Sequence, residues 1–284
     1  MTCMYTNLDS FNNKRTELEA RILAVKPDVI GLAEVNPKNA KWTLELQDLQ
    51  LMGYTMYCNL EGRGVALYVR DSVKSGDLKL TTSSKSSTWC EVKLKNKDRL
   101  VIGLVYRSPN TTDEENNKLI DMVTEVVNMK PSHLMIMGDL NYPGIEWSTM
   151  MSTGSMQECE FLESFRDWFL FQHSTQPTHY TAKQRANILD VVMTNEERMV
   201  DDLEIGEPVG RSDHVVLRWS LKCYADSIKT HVIKYVYDKG NYNGMRDKLG
   251  NVDWKLLLSD KNVDEQCDLF EGEAKRAVEE FVPH

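Results

Sequence analysis

Acidic and amide residues stand where apolar runs of this chain stop. Glu34 closes DVIGLAE, Asp139 and Asn141 close LMIMGDLN, and Asp213 and His214 open SDHVVLRW. Asn7 ends the first apolar run, and Asp9 follows closely. Polar groups at the rim of buried strands can converge on one edge of a sheet, where a rigid scaffold holds them. Taken singly, a strand-end Asp or Asn is ordinarily a turn former, Glu34 an ion-pair partner and His214 a satisfied histidine. The coincidence over several strands carries the functional reading. Carboxylates and amides without a thiolate cluster make a hard-oxygen environment, suited to Mg²⁺ or Mn²⁺ in preference to zinc. Metal-assisted phosphodiester hydrolysis needs such a cation, a base for water, and a His or Tyr donor for the developing oxyanion. A Ser-His-Asp hydrolase fits less well, because no GxSxG elbow is present, and GxxxxGK[ST] and GxGxxG are also missing.

These side chains need strands to carry them, and residues 1–223 alternate short β-rich runs with helical stretches. Met1–Asn7 reads as a strand, and Asn12–Val25 as a helix with Leu18, Ile22 and Val25 at helical spacing before Pro27. Asp28–Val35 is a nearly continuous apolar run, as expected of a strand buried on both faces. Lys41–Leu51 reads as a helix. Tyr54–Cys58, Gly64–Arg70, Ser87–Leu94 and Arg99–Tyr106 read as short strands, with Gly62-Arg63-Gly64 as a hairpin entry. Asp113–Met129 is a helix closed by Pro131, and His133–Leu140 a second wholly apolar strand. The helix Gln157–Phe171 and the strands Asn187–Thr194 and Asp213–Leu221 complete the series. The expected fold is an α/β (α+β) four-layer sandwich, two packed mixed β-sheets flanked by helices, followed by a helical C-terminal tail.

Residues 224–284 hold no comparable buried strand. Val263, Cys267, Phe270, Ala274, Val278 and Phe281 follow at steps of three or four, a single apolar stripe that needs a partner surface. The expected division is therefore a catalytic domain over 1–223 and a partly helical linker over 224–284, cut off from whatever follows.

The chain has 284 residues with 34 Lys+Arg against 43 Asp+Glu, a formal charge of −9, and a hydrophobic share of 41%. That is a globular composition, and its acidity argues against a purely electrostatic nucleic-acid coat protein. No apolar run approaches the roughly 20 residues that span a bilayer. The N-terminus lacks the apolar stretch of a signal peptide, so no membrane partner is expected. Six scattered cysteines, without a CxxC pair or zinc-spaced histidines, read as free thiols in an intracellular protein.

LAEVN at 32–36, VYRSPN at 105–110, GDLNYPGIEW at 138–147, ILDVVMTN at 188–195 and RSDH at 211–214 resemble the endonuclease/exonuclease/phosphatase superfamily, in that family's order, over residues 1 to about 223. YTNLDSFNNKRTEL near the start and NYPGIEW resemble one branch of it, the apurinic-like endonuclease domains of LINE-type, non-LTR retrotransposons. The tail from KYVYDKGNYNG through EEFVP is similar to the segment joining such endonucleases to a reverse transcriptase.

The resemblance implies roles residue by residue. Glu34 is the principal metal ligand, with Asn7 and Asp9 beside the metal and Asp213 near it. Asp139 activates or orients the attacking water, and Asn141 supports it. His214 contacts the scissile phosphate, and Asp190 orients His214. Tyr106 donates to the phosphate or the attacking oxygen. Asn110, Thr181 and Ser212 are substrate-binding positions, although YRSPN is one residue longer than the family's usual YxPN. Loops Tyr142–Ser155 and Thr175–Ala186 are candidate DNA readers, with Lys183 and Arg185 available for phosphates. The implied activity is a nick in duplex DNA that leaves a 3′-hydroxyl to prime a reverse transcriptase of the same polyprotein, in the nucleus, with Mg²⁺ or Mn²⁺. The complete set of core residues favours an active enzyme. The competing readings are an abasic-site repair endonuclease, a deadenylase, a lipid or inositol phosphatase of the same fold, or a host-retained DNA- or chromatin-binding module without catalysis.

Overall fold

Strands buried on both faces organise the computed structural model, which describes residues 1–38, 44–82, 85–180, 186–223 and 235–283. The chain opens with β1 (Thr2–Asn7), α1 (Arg15–Val25), β2 (Val29–Ala33), β3 (Tyr54–Asn59) and β4 (Val65–Arg70). Next come β5 (Ser75–Asp77), β6 (Ser87–Lys93), β7 (Arg99–Tyr106), α2 (Asp113–Asn128) and β8 (His133–Asp139). A small hairpin, β9 (Ile145–Glu146) and β10 (Met151–Ser152), precedes α3 (Met156–Asp167). The last strands are β11 (Phe171–Gln172), β12 (Asp190–Thr194), β13 (Val200–Gly206) and β14 (Val216–Leu221).

Two six-stranded mixed sheets result, ordered β13-β14-β1-β2-β4-β3 and β11-β12-β8-β7-β6-β5. In the first only β1 and β2 run parallel, and in the second only β7 and β8. Side chains alternate across each strand, so Met4 faces outward with Ile30, Leu32 and Tyr68 to meet Leu18 and Ile22 of α1. Tyr5 faces inward with Leu67, Leu104, Met137, Val192 and Leu217 to form the core between the sheets. The outer face of the second sheet packs Val101, Ile136 and Val191 against Leu119 and Met122 of α2 and Phe161 and Phe165 of α3. The result is the expected four layers. All six cysteines are free thiols.

Three local expectations are corrected. Lys41–Leu51 is not a helix over its described part, where a 3₁₀ turn spans only Leu46–Leu49. Its buried leucines, Leu44, Leu49 and Leu51, are spaced by five and two, which matches no single helical face. The helix expected to reach Phe171 stops at Asp167, because Phe169 turns into left-handed backbone (φ 54°) and Phe171 joins β11. Five strands lie outside the expected series: the two-residue β9, β10 and β11, and the edge strands β5 and β13, whose weak or partial burial leaves little apolar pattern.

The chain divides into two compact units, residues 1–228 and 229–284. Within the second, α4 (Tyr242–Gly250), α5 (Trp254–Leu257) and α6 (Val263–Phe281) are all helical. Asn262 and Glu265 form a capping box at the start of α6. Part of the apolar stripe of α6 meets residues of this unit, while Val263, Cys267 and Phe270 stay exposed. Phe270 meets the Trp254 ring at 5.5 Å, and Asn241 N–H donates to the Phe281 carbonyl at 2.8 Å. No helix among the described residues is long and apolar enough to cross a membrane.

Gly138, before Asp139, lies where a Cβ would stand 1.8 Å from the Val105 carbonyl oxygen. Only glycine lets β8 pass there. Gly138→Ala is expected to cost at least about 2–3 kcal/mol through forced displacement of the backbone, read as a lowered urea midpoint at unchanged slope.

Candidate active site

Parallel pairing decides where the polar strand ends meet. Because β1 and β2 are parallel, with Asn7 beside Ala33, Asn7 and the following Glu34 leave the first sheet at the same rim. In the second sheet Tyr106 and Asp139 are register partners at the ends of β7 and β8. β12 is antiparallel to β8, so its first residue, Asp190, lies directly opposite Asp139. β14, antiparallel to β1, brings His214 to the same rim just before it begins.

At the centre, His214 Nδ1 donates to Asp190 Oδ2 at 2.7 Å, which leaves Nε2 facing Asp139 Oδ2 at 3.7 Å and Asp213 Oδ1 at 3.8 Å. Tyr5 O–H donates to the other oxygen of Asp190 at 3.0 Å. Thr178 Oγ1 accepts the Leu189 and Asp190 backbone N–H groups and pins the start of β12. Asp139 accepts from Asn7 Nδ2 at 2.8 Å and from the Asn141 N–H at 3.1 Å. The Asn7 amide oxygen accepts the Asp9 N–H at 3.0 Å, so both ends of that amide are engaged. Ser212 is buried beneath the site. Its hydroxyl donates to the Asn7 carbonyl and accepts the His214 N–H, so it supports the site from within.

Asp139 and Asp190 are fully buried, and His214 is nearly so. Burial and the Asp190 carboxylate raise the Asp139 pKa above the usual carboxylate range. For His214 burial disfavours the charged form, but Asp190, with Asp139 and Asp213, outweighs it and raises the pKa to about 10. The Tyr106 hydroxyl is raised by burial and by the Glu34 carboxylate it faces.

Glu34 (φ 51°), Asp9 (φ 42°) and Asn141 (φ 48°) all adopt left-handed backbone. That conformation is uncommon outside glycine, and for a Glu it signals a position the surroundings impose. Lys14 Nζ holds the loop bearing Asp9 by donating to the Leu8 and Asp9 carbonyls.

Several participants carry no signal in the motif pattern. Tyr5 reads as a core tyrosine until its hydroxyl is seen on Asp190. His179, in the HYT triplet, bonds Asp213 Oδ2 at 3.2 Å and lies 4.7 Å from the His214 ring, centroid to centroid. That bond is the main reason the Asp213 pKa falls to about 2. Arg63 bonds both Glu34 and Asp9. Arg107 is buried: its Nη1 donates to the Asn141 carbonyl at 3.0 Å, its Nε to Asn116 Oδ1 at 3.2 Å, and its guanidinium lies 4.2 Å over the Tyr142 ring.

Asn110 lies in an exposed turn with no hydrogen bond to the site among the described residues, and Arg107 of the same loop is the residue bonded to Asn141. Thr181, Lys183 and Arg185 lie outside the described residues. Glu34, Asp9, Asn7, Tyr106, Asp139, Asn141, Asp190, Asp213, His214 and Ser212 are brought to one rim.

Two sets of three residues place metal-binding atoms within 4.8 Å of one another: His179, Asp213 and His214, and Asp139, Asp190 and His214. The second set is already committed to the His214–Asp190 bond. The oxygens of Glu34 and Asp9, aimed together at a guanidinium, better fit a hard divalent cation, since they converge on positive charge.

An endonuclease-reverse transcriptase family model matches residues 100–218, which run from β7 into β14. Curated proteins gave no match. Among solved structures, the endonuclease domain of TRAS1, a telomere-specific non-LTR retrotransposon, aligns with a TM-score of 0.60 and 14% identity, covering 78% of this chain and 97% of that one. The 3′-5′ exonuclease NExo of Neisseria meningitidis aligns with a TM-score of 0.59 and 14% identity over 78% and 99%. The AP endonuclease of Leishmania major gives 0.58 and 13% over 78% and 88%.

The His214 and Asp139 shifts have one sign: the folded protein binds more protons than the unfolded chain. The His214 contribution is full below its unfolded pKa of 6.5 and is lost as pH rises through about 10. Asp139, raised by burial and Asp190, also loses stability as pH rises above its unfolded value. Melting temperature without metal is therefore expected to fall from pH 6.5 to pH 10. Asp190→Asn should flatten that slope and move the His214 ring titration, followed by NMR, towards its ordinary value. A flat wild-type profile would contradict this assignment of charge.

Proposed function

Starting from a chain that has the endonuclease/exonuclease/phosphatase fold, with an endonuclease-reverse transcriptase family match over residues 100–218, we propose that it is a divalent-metal-dependent DNA endonuclease of a LINE-type retrotransposon. Its reaction is hydrolysis of one phosphodiester bond in duplex DNA, leaving a 3′-hydroxyl that primes reverse transcription. Residues 224–284 then connect this domain to a reverse transcriptase of the same polyprotein, and the site of action is the nucleus.

The observation that carries the reading is the buried His214–Asp190 pair with Nε2 turned towards Asp139. His214, charged at neutral pH, is a donor for a phosphate oxygen, and Asp190 and Tyr5 prevent it from rotating. Asp139, held by Asn7 and the Asn141 N–H, is a carboxylate whose raised pKa suits it to take a proton from water. Tyr106 offers a further hydroxyl donor beside Glu34. A Mg²⁺ or Mn²⁺ ion bound at Glu34 and Asp9 would neutralise phosphate charge. A cleft lined by Lys85, Arg107 and Lys118, and equally by Glu61, Glu114 and Glu115, opens beside Tyr106.

Nicking of supercoiled plasmid in Mg²⁺ is expected from the wild type. Glu34→Ala and His214→Ala should each lower the rate by about a hundredfold or more, and the nicked ends should be extendable by a polymerase. Wild type that nicks no faster than these variants would sink the enzyme reading and leave a DNA-binding module. Strong preference for abasic duplex would favour the repair endonuclease. Activity confined to RNA would favour a deadenylase, and activity confined to inositol phosphates a phosphatase.

A further inference from the structure

The β3–β4 turn delivers a cation to the two carboxylates just assigned to the metal. Gly62 (φ 60°) and Gly64 (φ 70°) bracket Arg63, and a Cβ on Gly64 would stand 2.9 Å from both Asn36 Nδ2 and Val35 Cγ2. The turn is fastened to the residues that follow Glu34. Asn36 N–H donates to the Arg63 carbonyl at 2.8 Å, Val35 N–H to the Gly64 carbonyl at 3.2 Å, and Asn36 Nδ2 to the Leu60 and Gly62 carbonyls. The backbone of Arg63 is therefore fixed beside Glu34, and its side chain is held by the carboxylates themselves. Its Nε donates to Glu34 Oε2 at 3.0 Å, and its Nη2 reaches both Glu34 and Asp9.

Two features mark this arrangement as one that can be given up. The Nη1 group of Arg63 is buried without a hydrogen-bond partner, an unsatisfied donor that penalises the pose. Arg63 and the nearby Lys14 also face three carboxylates, Asp9, Glu34 and Asp213, so the cluster remains short of positive charge.

We propose that Arg63 is the site's internal counter-cation, which a divalent ion must displace from Glu34 and Asp9 before it can bind. The inference rests on the reading of Glu34 and Asp9 as metal ligands. Arg63 then keeps the metal-free carboxylates from repelling one another and lowers the affinity for cations. It sets the divalent-ion concentration at which the site loads. A permanent structural ion pair would instead be indifferent to added cations.

The test is titration of the full 284-residue chain with Mn²⁺, free ion being followed by electron paramagnetic resonance, for wild type, R63Q, R63K and E34Q. R63Q is expected to bind Mn²⁺ about three- to tenfold more tightly than wild type, because the competitor is removed. R63K, a point charge without the two-pronged reach, should fall between them. In chelator, R63Q should melt below wild type and gain more on addition of Mg²⁺. Mn²⁺ affinity of R63Q equal to or weaker than wild type overturns the counter-cation role while leaving the metal site standing. If R63Q does not fold, unchanged affinity in R63K overturns it. Binding by E34Q equal to wild type removes Glu34 as a ligand, and both readings fall together.

Discussion

Two parallel strand pairs inside otherwise antiparallel sheets make the site possible. A parallel pair ends on one side, and the chain must cross back before the second strand starts. The crossovers are α1, between β1 and β2, and α2, between β7 and β8. Each helix covers the outer face of its own sheet and supplies one of the outer layers. Because the inner faces pack against each other through Tyr5, Leu104 and Met137, the two pairs of strand ends are brought to a common rim. Asn7 and Glu34 come from one sheet, and Tyr106 and Asp139 from the other. The site is thus a consequence of strand direction in both halves, and a change in either crossover would disperse it.

Burial at that rim turns ordinary carboxylates into unusual ones. Asp190 tolerates complete burial because Tyr5 and His214 occupy its two oxygens and Thr178 fixes its backbone. Among the described residues Asp139 accepts from the Asn7 amide and the Asn141 N–H, with His214 more distant, and burial together with the neighbouring Asp190 carboxylate raises its pKa. The two residues are neighbours in register on adjacent strands. Asp213 is half exposed and bonded to His179, and it shifts in the opposite direction. Asp139 and Asp213, both within reach of the His214 imidazole, therefore shift in opposite directions through burial, neighbouring charge and hydrogen bonding.

Much of this is legible in the sequence. Continuous apolar runs such as DVIGLA and HLMIMG can only be strands buried on both sides, and the polar residue that ends each run marks the rim. Seven candidate residues read in that way, Asn7, Asp9, Glu34, Asp139, Asn141, Asp213 and His214, meet in space, with Tyr106, Asp190 and Ser212, which the family resemblance supplied, beside them. What stays hidden is whatever depends on contacts across the sheets. Tyr5 has the same pattern as any inward core residue, and nothing local says that its hydroxyl ends on Asp190, 185 residues away. Arg63 reads as a turn residue because its glycines are turn glycines, whereas its function in the fold comes from the strand to which the turn is fastened. Arg107 carries no motif signal either, yet its buried guanidinium bonds the Asn141 carbonyl.

The formal charge of −9 takes on a different meaning at this rim. Asp9, Glu34, Asp139, Asp190 and Asp213 gather five potential negative charges around one histidine, with Arg63 and Lys14 as the adjoining cations. Negative charge at such density is costly in a partly buried place unless protons or cations share it. The raised pKa values of His214 and Asp139 are the proton part of that compensation. The Arg63 bridge between Glu34 and Asp9 is the side-chain part. A site that recruits both protons and a guanidinium in the absence of metal is under-neutralised as built. Acidic groups gathered at such a rim would not repel a phosphate backbone with a cation bound among them. An acidic chain with this distribution of charge is therefore compatible with a nucleic-acid substrate, because the local field at the reacting bond, and not the net charge, decides the encounter.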